Sequence, residues 1–174
     1  MQKLLLSSAL VAVIGLIPNA QAATSGTINF TGTVVADSCQ ITVAGGNATG
    51  TVALPTVQTS QLATQGATAG DTPFDITMSG CDANLAGAQV AFSGANVNTT
   101  NGNLDNAAVD GSDVQIQLVN AGAVVNTADN SNAPTISVSN GAGSVSLTAR
   151  YYAVNADTTP GRVSTSVNFT LTYL

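Results

Sequence analysis

The residues able to do covalent chemistry in this chain of 174 are few: two cysteines, Cys39 and Cys81, nine Asp with no Glu, no His, and a single Lys at position 3. General-base chemistry runs chiefly on His, Glu or a tuned Lys, and a nucleophilic triad needs an imidazole to take the proton from Ser. Asp, Ser, Thr and Tyr alone do not supply that set, so an enzyme is not expected. Asp105, Asp110 and Asp113 lie around Gly111. As a calcium loop they miss the twelve-residue spacing and lack the closing Glu, so neither metal nor cofactor is expected. The cysteines admit three readings: a disulfide, two free buried thiols, or a redox pair. No Cys-x-x-Cys spacing is present, and an oxidising compartment favours the disulfide. Closing a loop of about forty residues would contribute roughly 3 to 4 kcal/mol in the loop-entropy model.

The N-terminus supplies that compartment. Met1-Gln2-Lys3 precedes a largely apolar run over residues 4–17, then Pro18-Asn19 and Ala20-Gln21-Ala22. This is the pattern of a secretory signal with a small-residue cleavage site, too short for the roughly 20 residues of a membrane span. Residues 1–22 are therefore expected to be removed on export. Arg150 and Arg162 then face nine Asp as the only cations. Nucleic acid and anionic lipid are poor partners for such a chain, because little on it would neutralise phosphate. Its 44% hydrophobic content is too high for disorder, and the remaining length suits one domain with a closed core.

Stepping along the chain, apolar residues recur at every second position and are bounded by Gly, Asn, Asp and Pro clusters, the signature of an all-β chain. Strands are expected over 27–35, 40–44, 50–54, 74–79, 89–93, 114–119, 123–126, 144–154 and 163–173. Residues 58–72 suit either a helical turn or a crossover loop. Turns are expected at Asn101-Gly102, Asp110-Gly111, Asn120-Ala121-Gly122 and Asn140-Gly141, where positive φ is tolerated. Tyr151 and Tyr152 should place one ring inside and one outside. Short antiparallel strands of this spacing with one long-range cysteine pair fit an immunoglobulin-type β-sandwich.

The terminal segments carry the clearest alternation. Val163, Thr165, Val167, Phe169, Leu171 and Tyr173 share one face; near the N-terminus Ile28, Phe30, Gly32 and Val34 do the same. Counting Leu174 as one, Gly161 is fourteenth from the end and Tyr173 is penultimate. The signal, the alternating start, Ser38-Cys39 with Cys81, and these two offsets together resemble the chaperone-usher pilins, in particular the major subunits of type 1 fimbriae. The end in Leu174 departs from the polar residue common there.

The resemblance implies an incomplete immunoglobulin-like β-sandwich, residues 37–174, completed by a donor strand from the neighbouring subunit. Residues 23–36 would be that donor extension, with Ile28, Phe30 and Val34 as plugs and Gly32 where the groove is shallow. Gly161 and the strand from Val163 to Tyr173 would line the acceptor groove, filled first by a periplasmic chaperone whose basic residues hold the Leu174 carboxylate. Partners would be that chaperone, an outer-membrane usher, other pilins and copies of the chain itself, head to tail, in a surface fimbria used in adhesion. A minor or adaptor pilin, or a self-contained periplasmic binding domain, are the alternatives.

Overall fold

The structure is a computed structural model, and it describes residues 27–32, 34 and 39–174. The expected signal segment, its cleavage site and part of the expected donor extension lie outside these residues. The chain divides into two units, Met1–Gly32 and Thr33–Leu174. In the first, residues 27–32 are exposed and none is in a strand. The strand expected over 27–35 is thus not formed among the described residues: alternation prepares a segment to pair, but a strand exists only beside a partner.

The second unit is a sandwich of two antiparallel sheets. Its strands are β1 (Gln40–Val43), β2 (Thr68–Ser79), β3 (Gly87–Ser93), β4 (Leu104–Asp105), β5 (Gln115–Asn120), β6 (Ala123–Val125), β7 (Thr135–Ser137), β8 (Gly143–Tyr152) and β9 (Asn168–Tyr173). The larger sheet runs β1-β2-β8-β5-β4, with β6 also beside β5; the smaller runs β7-β3-β9. A 3₁₀ turn at Thr59–Leu62, stabilised by the Gln58 N–H donating to Gln61 Oε1 at 3.0 Å, resolves the ambiguous stretch, and β2 begins at Thr68.

Period-two alternation builds the core. Ile76 and Met78 of β2, Ala88, Val90 and Phe92 of β3, Ile116 and Leu118 of β5, and Leu147 and Ala149 of β8 all point into one buried cluster. Cys39 bonds to Cys81 across 42 residues. Since Gln40 pairs with Ser79, the bond closes the end of the β1–β2 ladder. At the β5–β6 turn the left-handed residues are Ala121 (φ 48°) and Gly122 (φ 85°), and before β8 they are Asn140 (φ 52°) and Gly141 (φ 74°). Positive φ at both central residues is what a two-residue hairpin requires.

Three expectations need correction. Residues 50–54 are not a strand, 163–173 is a strand only from Asn168, and β4 and β7 were not expected at all. The first two failures share a cause, described below. The last two strands are two and three residues long, too short to show a period.

Candidate functional site

The site is an edge. Among the described residues β9 is the outer strand of its sheet and pairs only with β3. The alternation expected for 163–173 is present: Val163, Thr165, Val167, Phe169, Leu171 and Tyr173 are half-buried and the residues between them are exposed. Half-burial is the informative part. On neighbouring β3 the inward residues Ala88, Val90 and Phe92 are 0%, 1% and 4% exposed. An apolar strand face beside so dry a core is partly wet here because among the described residues no strand covers its outer edge.

The backbone agrees. The N–H groups of Val90 and Phe92 donate away from β9, to Pro134 O at 3.0 Å and Asn130 Oδ1 at 2.5 Å. Opposite them stand Leu171 and Phe169. In an antiparallel ladder the outward-bonding residues of both strands face each other, so Phe169, Leu171 and Tyr173 present their N–H and C=O groups to the free edge. Upstream of Asn168 the ladder stops, and one side chain and two loop amides keep the same parity. Ser166 O accepts from Asn96 Nδ2 at 3.3 Å, Ser164 O from Ala107 N at 2.8 Å, and Arg162 O from Ser112 N at 3.0 Å. None of these bonds engages the backbone of Val163, Thr165 or Val167, which continues the unpaired edge.

Asn106 fastens this segment. Its Nδ2 donates to Ser112 O and Arg162 O, both at 2.8 Å, while its Oδ1 accepts from Ala108 N at 3.1 Å and Ser164 N at 2.8 Å. All four capacities of the amide are used. Nothing in the sequence marks this Asn among its many neighbours, and it was not expected. Asp113 fixes the turn before Gly161: burial raises its carboxyl pKa, but the N–H and O–H of Thr159, donating at 2.8 and 3.0 Å, outweigh this and hold the group below its ordinary range. Gly161 is glycine for want of room, since a Cβ there would overlap the backbone of Gly111 and Ser112. Thr165 is the one polar member of the inner face, and its Oγ1 is buried without a hydrogen-bond partner.

The facing wall is residues 50–57. Gly50, Val52 and Leu54 are half-buried with Thr51 and Ala53 exposed between them, so the alternation expected over 50–54 is there without the strand, and Val57 is half-buried as well. Val52 and Leu54 belong to the same half-buried margin of the core as Val163, Val167, Phe169, Leu171 and Tyr173. At one end the walls meet around a cavity of about 310 Å³, lined by Thr56 and Val57 on one side and Gly161 and Val163 on the other.

Ile28, Phe30 and Val34 are 78%, 89% and 98% exposed. A Cβ built on Gly32 meets nothing within 4 Å, so no neighbour within the described chain demands glycine there. Tyr151 packs on the core from one side of β8, and Tyr152, one residue on, takes the opposite face, also half-buried. Asp105 bonds Gln115 and Asn98, and Asp113 bonds Thr159; among the described residues no three acidic, His or Cys groups come together to hold a metal.

These observations define a disulfide-closed immunoglobulin-like sandwich with one sheet edge uncovered among the described residues. The chain belongs to the fimbrial protein family, whose model matches residues 28–174. It is 38% identical to the F17 fimbrial protein of Escherichia coli over 166 residues, covering 89% of this chain and 91% of that protein. It is 37% identical to the major fimbrial subunit SMF-1 of Stenotrophomonas maltophilia strain K279a, covering 90% and 96%, and 31% identical to the type-1 fimbrial protein A chain of Escherichia coli K12, covering 85% and 83%. Among solved structures it is similar to the P pilus rod subunit PapA, with TM-score 0.61 and 26% identity over 78% of this chain and 99% of that one. A second, from a chaperone-usher pilus, gives TM-score 0.62 and 27% identity over 88% and 98%.

Proposed function

We propose that this fimbrial subunit polymerises head to tail by donating residues 23–36 to the open edge of the next copy, after a periplasmic chaperone has held that edge and an outer-membrane usher has received the complex. One observation carries the reading: the inner face of residues 163–173 is half-wet and its outer backbone unpaired, beside a core that is otherwise dry. An edge of that kind is a template for strand addition. The exposed Ile28, Phe30 and Val34 have the matching period, and burying three such side chains contributes roughly 5 to 9 kcal/mol before ordering costs. Backbone pairing along Val163, Thr165, Val167, Phe169, Leu171 and Tyr173 adds to this. Donor and acceptor surfaces differ, so the contact propagates as a filament instead of closing a ring. The subunit's role is structural, with no catalysis.

Size-exclusion chromatography and electron microscopy on protein recovered from the periplasm test this, comparing the full chain with one lacking residues 23–36. SDS-resistant filaments from the full chain and none from the truncation are expected. Stable monomers from both, with no chaperone attached, would show a self-contained sandwich and overturn the proposal.

A further inference from the structure

The two walls of the open edge are fastened unequally. Residues 162–174 are held by a ladder, by the backbone of Ala107 and Ser112 and by the side chains of Asn96 and Asn106, whereas among the described residues the wall at 50–57 has one hydrogen bond: the Tyr151 hydroxyl donates to Pro55 O at 3.2 Å. The Tyr151 ring serves the same wall. A Cβ on Gly70, which sits at φ +72°, would meet that ring at 2.9 Å and Val57 Cγ1 at 3.2 Å, so ring, β2 and wall form one stack. β2 is irregular at this place, its register with β8 shifting between Ala69 and Thr72, and the glycine there leaves the ring its space. Tyr151 also lines the cavity where the walls converge, with Val57, Gly161 and Val163, and burial raises its phenol pKa above the ordinary value.

We infer that Tyr151 is a positioning residue for strand addition: it props the 50–57 wall at the width an incoming strand needs, at the Gly161 end of the groove. Without it the wall keeps only the half-buried contacts of Val52, Leu54 and Val57, which fix depth against the core but not lateral spacing. The inference rests on the strand-donation reading above, and among the described residues no other hydrogen bond fastens residues 50–57.

The test uses the full chain and Y151F, which keeps the ring and removes only the donor. In filaments, Y151F is expected to dissociate in hot SDS about fivefold faster than wild type, the effect of losing one modest hydrogen bond. In those filaments, where a strand added along residues 51–57 would accept from their amides, hydrogen exchange over residues 51–54, 56 and 57 should quicken while β2, β5 and β8 stay as protected as in wild type. A merely structural tyrosine would instead speed exchange across β8 and its neighbours together. Y151F filaments that dissociate at the wild-type rate, or exchange that rises throughout the larger sheet, overturn the inference. Wild-type chain that yields no SDS-resistant filament would instead overturn the strand-donation reading beneath it.

Discussion

Asn106 offers the sharpest test of how the acceptor wall is built. Replacing it with Ala removes four hydrogen bonds, two donated to Ser112 O and Arg162 O and two accepted from Ala108 N and Ser164 N. Two of these are part-buried and two are exposed, where water replaces the lost partner. At about 1 kcal/mol for each part-buried bond and less for the others, N106A should cost roughly 2 to 3 kcal/mol, a large share of the 5 to 15 typical of a domain. The cost should be local, because none of the four bonds touches the buried core. N106D is the finer probe: it keeps both acceptor bonds but turns a carboxylate oxygen toward two carbonyls. The new acid is held above its ordinary pKa there, so the variant is worse than wild type at neutral pH and recovers as pH falls through that pKa and the group becomes a donor. Urea unfolding at several pH values gives the energies, and hydrogen exchange at Ser164 gives the location. An N106D protein as stable as wild type at pH 7, or exchange rising equally in β2 and β8, would refute the claim that this amide substitutes for a ladder.

Further outcomes follow from the same geometry. Phe30→Ser in the proposed donor segment should leave the subunit folded, since Phe30 is 89% exposed, yet weaken filaments by roughly 2 to 3 kcal/mol per junction, read as a fall in SDS dissociation temperature. Cys39→Ser with Cys81→Ser should lower unfolding stability by roughly 3 to 4 kcal/mol in urea, and reductant on wild type should reproduce it. Gly161→Ala forces a methyl into the Gly111–Ser112 backbone and should cost about 1 to 3 kcal/mol, with the added exchange centred on residues 111–112 and 160–163. The Asp113 carboxyl is depressed in the fold, so its stabilisation is present above its ordinary value of 3.8 and disappears as pH falls through the lower folded value. Asp113→Asn should therefore flatten that acid-side loss, measured by denaturant midpoints between neutral pH and pH 2.

Much of this protein was legible before any coordinates. Alternation identified most of the strands and the correct inward residues of 163–173, because the period of a strand is a property of the chain itself. The two cysteines and the two offsets from the C-terminus pointed to the family that the comparisons then established. The short strands β4 and β7 and the struts at Asn106 and Tyr151 were not legible.

What the sequence determined alone is which face of each segment is apolar, and that many short faces of this kind make a sandwich. Whether a segment has a neighbour on its edge is a different quantity, set by hydrogen bonds between residues far apart in the chain. Residues 50–54 and 163–167 read as strands and carry strand-like burial, yet have no ladder among the described residues, because a ladder needs a partner strand and only the tertiary structure shows whether one lies alongside. Asn106 reaches 56 and 58 residues along the chain to Arg162 and Ser164, and Tyr151 reaches 96 back to Pro55. Contacts at such separation leave no local period, so the width of the groove was decided in three dimensions only.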